Sequence, residues 1–60
     1  MPDYETALDK LYALERSSQM ARHEVQNVRS GIRSLITLED HFRVIDILVQ
    51  EAKEAVGISQ

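Results

Sequence analysis

From Tyr4 to Leu35 the apolar side chains recur in steps of three and four: Tyr4, Leu8, Leu11, Leu14, Ala21, Val25, Val28, Ile32 and Leu35, with Ser18 in the one polar slot. An α-helix turns about 100° per residue, so this spacing gathers them along one stripe, whereas a strand would need alternation in twos. The only proline is Pro2, and Gly31 is a mild cost that a helix interior tolerates. Asp3 supplies an N-cap and Glu5 a first-turn acid that complements the helix dipole. The pattern predicts a first helix over about residues 3–35. Two successive steps of three, from Leu8 through Leu11 to Leu14, rotate the stripe and place any bend near Ser17 and Ser18.

Thr37 followed three residues later by Asp40 matches a capping signature, so a second helix is expected from about Leu38 to Val56. Gly57 fits the left-handed position after a helix end, with Ile58 able to cover the last turn. The turn then falls at about residues 34–37. Helices joined so tightly lie antiparallel. The expected architecture is all-α, a single helical-hairpin domain over residues 1–60 with a long first helix and a shorter second one. At about 1.5 Å per residue they would span roughly 48 Å and 28 Å, leaving the start of the first helix without cover.

Sixty residues bury only about 60% of the surface that the unfolded chain exposes, so the core must be small. Yet the second helix is apolar over roughly 160° of its circumference, against about 100° for an ordinary core-facing stripe. Leu38, Phe42, Val44, Ile45, Leu48, Val49, Ala52, Ala55 and Val56 fill this arc, and Ile47 lies outside it. One antiparallel helix cannot cover so wide a face. These observations predict self-association into a homodimeric four-helix bundle, docking on another protein, or both. The residues assigned to such an interface are Tyr4, Leu8, Leu11, Tyr12, Val44, Ile45, Ile47, Leu48 and Ala55. Of these, Tyr4, Leu8, Leu11 and Tyr12 are rimmed by Asp3, Glu5, Asp9 and Glu15. That arrangement suits either bundle core or a helix laid into a partner's groove.

Charge runs acidic, basic, acidic along the chain, around an overall −3. The basic middle carries Arg16, Arg22, Arg29 and Arg33 against Glu24. Arg22, Gln26, Arg29 and Arg33 fall on one side of the first helix, the kind of spacing that tracks a phosphate backbone. They define the alternative reading, an RNA-binding hairpin dimer. The negative net charge and the lack of aromatic residues in this stripe favour the protein-contact reading.

Catalytic signatures are missing from the sequence: no HExxH, no glycine-rich phosphate loop and no nucleophile elbow. His41 lies within the apolar arc of the second helix and His23 among polar neighbours, neither with a second ligand at metal spacing. Asp46, Glu51 and Glu54 are expected on the solvated outer face. Without cysteine, neither a disulfide framework nor a thiolate metal site is available. No metal or cofactor is expected, and no enzymatic activity. The start of the chain is acidic rather than basic, and no apolar run reaches membrane-spanning length. The expectation is a cytoplasmic regulator, adaptor or chaperone-like subunit that works by protein contact, with no membrane partner.

Overall fold

Asp3 opens the first helix, α1 (Tyr4–Arg29), by accepting the Thr6 backbone N–H at 3.0 Å and the Thr6 hydroxyl at 2.6 Å. These two bonds, hydroxyl first, hold the Asp3 carboxyl below its ordinary pKa. The structure is a computed structural model that describes residues 1–58. α1 runs without interruption through Ser17 and Ser18, so no break falls there. The second helix, α2 (Leu35–Ala55), returns antiparallel to it, and the two pack as a hairpin.

Both helices end in the same device. Gly31 and Gly57 adopt φ of 80° and 87°, the left-handed region that glycine enters without steric penalty. Around each, two reversed hydrogen bonds close the helix. Gly31 N–H donates to Val28 C=O at 3.0 Å and Ile32 N–H to Asn27 C=O at 2.9 Å. Gly57 N–H donates to Glu54 C=O at 3.1 Å and Ile58 N–H to Lys53 C=O at 2.8 Å. This is the Schellman pairing, which satisfies carbonyls that a helix end leaves orphaned. Gly57 therefore occupies the position expected of it. Gly31, expected inside the first helix, ends it instead.

That stop moves the turn to residues 30–34, ahead of the expected 34–37. Ser34, in extended backbone and without a side-chain capping bond, precedes α2, while Thr37 sits in its first turn and shares its single hydroxyl proton between Ser34 C=O, at 2.8 Å, and the Glu24 carboxylate. The shorter α1 and earlier-starting α2 bring the end of α2 back beside the first turn of α1, yet Tyr4 and Leu8 there stay exposed, as the uncovered start of the first helix leads one to expect. Asp3 N–H donates to Ala55 C=O at 2.6 Å, tying the first turn of α1 to the last of α2.

The seam between the helices also differs from the apolar stripe. Ala7, Lys10, Leu14, Ser17, Ala21, Glu24 and Val28 of α1 are buried or half-buried, again in steps of three and four but rotated about 60° from the Tyr4–Leu35 stripe. Small side chains let the two backbones approach closely. Opposite them lie Leu38, His41, Ile45, Leu48, Val49, Ala52 and Ala55 of α2. The only buried apolar residues among those described are alanines: Ala7, Ala21 and Ala52.

Candidate functional site

The Cα trace measures 46 × 19 × 9 Å, a slab one helix thick with two broad faces. Stable domains bury apolar surface between at least two layers, so each face of a single layer matters.

One face carries polar links across the seam. Lys10 Nζ reaches Glu51 Oε1 at 2.9 Å, which draws Glu51 away from the solvated position expected for it. Towards the turn, Glu24 is 6% exposed, the one buried charged residue among those described. The Thr37 hydroxyl donates to its carboxylate, and His41 Nε2 lies 4.0 Å from its other oxygen. The Glu24 pKa is held below the ordinary glutamate value. The Thr37 bond is the main cause, and burial opposes it. The Arg33 charge, an Asn27 bond and His41 add to the lowering. This buried acid was hidden in the sequence: Glu24 looks like the lone counter-charge of a basic segment. Its signal is the step pattern Ser17, Ala21, Glu24, Val28, visible only once α1 is rotated to put small residues on the seam.

The opposite face is an open groove of about 540 Å³ between the helices. Leu11, Leu14 and Ser18 of α1 and Ile45 and Val49 of α2 line it, with Glu15 and Arg22 on its rim. Around it, Leu11 is 48% exposed, Phe42 51% and Val25 43%. At about 100° per residue, Tyr4, Val25, Arg29, Leu38 and Phe42 extend the same face along both helices.

The nine apolar residues assigned to an interface therefore do not form one patch. Tyr4, Leu11 and Ile45 belong to the groove face, and Leu8 lies at its outer margin. Tyr12 points off the outer edge of α1. Leu48 and Ala55 are half-buried on the polar-linked side of the seam, where Val44 is exposed, and Ile47 lies near the outer edge of α2. The basic set divides as well. Arg22 and Arg29 flank the groove, Gln26 lies with Gln19, Arg22 and His23 around a shallow hollow on the outside of α1, and Arg33 belongs to the turn.

Among the described residues, no group of three or more acidic or histidine side chains is placed to hold a metal ion, and no helix is long and apolar enough to cross a membrane. The chain matches no protein-family model, no curated protein and no solved structure in the comparisons made with each.

Proposed function

We propose that this hairpin is a non-enzymatic protein–protein interaction module that self-associates through its groove face, acting as a cytoplasmic regulator, adaptor or chaperone-like subunit. One observation carries the reading: among the described residues the buried apolar side chains are all alanines, while Leu11, Val25 and Phe42 stand about half exposed around an open groove. Burial is worth about 25 cal/mol per Å² of apolar surface, so covering this face supplies the stabilisation that a three-alanine core lacks. Contiguous exposed apolar surface of this kind marks interaction sites.

Sedimentation equilibrium and the concentration dependence of thermal unfolding test the reading together. A dimer mass at micromolar concentration, with a Tm that rises with concentration, is the expected result. Leu11→Asp abolishes the dimer and with it the stabilisation that cover supplies, so Tm falls and no longer depends on concentration. A monomer with a concentration-independent Tm overturns self-association. The Arg22, Gln26, Arg29 and Arg33 alternative is set apart by salt: binding to an RNA through several arginines weakens steeply as salt rises, whereas burial of an apolar face does not.

A further inference from the structure

We infer that the groove is covered by the groove of a second copy in antiparallel orientation, with the turn of each hairpin against the Asp3–Ala55 end of the other; this rests on the self-association proposed above. The argument is one of register and charge. On the groove face of α1 the sequence is symmetric about Ser18. Leu11 and Val25 lie seven residues either side of it. Glu15 and Arg22, at nearly equal steps from it, carry opposite charge, and neither has an ion-pair partner within the hairpin among the described residues.

The contacts across the seam extend this centre to α2. Lys10 meets Glu51 and Glu24 meets Thr37 and His41, which sets Ser18 about level with Arg43. About that level, Phe42 and Ile45 form an equally spaced pair, and Leu38 and Val49 a second. A two-fold axis across both helices at this height stacks α1 on α1 and α2 on α2, both antiparallel. Leu11 then packs on Val25 of the second copy, Phe42 on Ile45 and Leu38 on Val49. The small Ser18 allows close approach at the crossing. Glu15 meets Arg22 twice, as two-fold symmetry requires of a self-complementary interface.

The alternative, with both turns at one end, lays α1 on α2 of the other copy. It brings Arg22 to Glu39 but Glu15 to Asp46, just as the antiparallel stacking brings Glu39 towards Asp46, so the rims alone divide evenly. Net charge decides between them. The half of the hairpin around the turn holds Arg22, Arg29, Arg33 and Arg43 against Glu24, Glu39 and Asp40, a net +1. The half around the Asp3–Ala55 contact holds Asp3, Glu5, Asp9, Glu15, Asp46, Glu51 and Glu54 against Lys10, Arg16 and Lys53, a net −4. Antiparallel stacking places the positive half on the negative one at both ends; the alternative places −4 against −4.

The absence of native cysteine makes the test direct. Leu11→Cys chains are mixed with Val25→Cys chains under oxidation, and separately with Val49→Cys chains. All three positions face the groove, and circular dichroism checks that each variant keeps its helicity. The expected result is a disulfide between positions 11 and 25 of different chains, and little between 11 and 49. A preferred 11–49 link overturns the orientation while leaving self-association standing. A dimer mass with neither link overturns the assignment of this face. A monomer overturns the proposed function and this inference together. Charge reversal gives an independent readout. Glu15→Arg weakens the antiparallel dimer about tenfold and Arg22→Glu restores it in the double variant. In the alternative stacking, Glu15→Arg faces Asp46 and tightens association, which likewise overturns the orientation.

Discussion

The two faces of this hairpin are joined across the same seam by different means. On one, Lys10 meets Glu51 and Glu24 meets Thr37 and His41, so directional bonds fix how the helices slide past one another. On the other, Leu11, Leu14, Ile45 and Val49 approach without a polar contact and leave a groove. Polar pairs specify register at small net gain, because each exchanges bonds with water for bonds within the chain. Apolar surface supplies the driving force but does not fix which partner covers it. The difference teaches a division of labour: one face sets the internal geometry of the hairpin, and the other sets its appetite for company.

Four perturbations sharpen or break this contrast. The largest effect belongs to the groove. Ile45→Asp places an unpaired charge against Leu14, and the expected outcome is loss of both the assembly and most of the helical circular dichroism. A chain that keeps its helicity and its dimer mass would show that the groove face is not what drives folding and assembly. Next comes the seam that both faces share. Ala21→Leu adds methylenes at a buried seam position, at a cost of about 1–3 kcal/mol by chemical denaturation.

Acid acts on the polar-linked face through Glu24. Because the fold lowers the Glu24 pKa, the stability this group contributes is complete above its ordinary value and is lost as pH falls through the lowered one. Tm should therefore drop as pH falls below the ordinary glutamate range. In Glu24→Gln the drop should be smaller, since the amide does not titrate; an unchanged pH profile would assign the acid sensitivity to other carboxylates such as Asp3. The smallest effect is expected from Lys10→Ala, which removes a partly exposed ion pair worth about 0.5 kcal/mol. A larger loss there would mean that the Lys10–Glu51 pair does more than hold register.

The fold was legible because its signals are local. Steps of three and four announce helices, Asp3 announces a cap, and Gly57 with Ile58 announces an end. What escaped was a choice between equivalent readings of one signal. Gly31–Ile32 repeats the Gly57–Ile58 pair, but apolar residues continue in helical step beyond it, so periodicity overrode the stop. Thr37 resembled a cap because its hydroxyl does bond at the start of α2, to the Ser34 carbonyl rather than to a backbone N–H. The candidate surface was legible only in part, for a different reason. Hydrophobic periodicity marks the face that seeks burial, not the neighbour that supplies it, and in α1 the closest approach belongs to alanines. Leu11 and Ile45 line the groove. Tyr12 was grouped with Leu11 by helical spacing and Ile47 as apolar surplus beyond the arc of the second helix, and the backbone turns both outward.

The hydrogen bond from Asp3 N–H to Ala55 C=O has a use beyond closing the hairpin. It leaves the entry and exit of the two-helix unit side by side, 2.6 Å apart at those atoms, on one end of a rod 46 Å long. A unit whose entrance and exit coincide can be spliced into a single surface turn of an unrelated scaffold without stretching the host. Residues 3–55 would then stand out from that scaffold as a rigid arm, and two such arms engaging groove to groove would draw their hosts together from opposite sides.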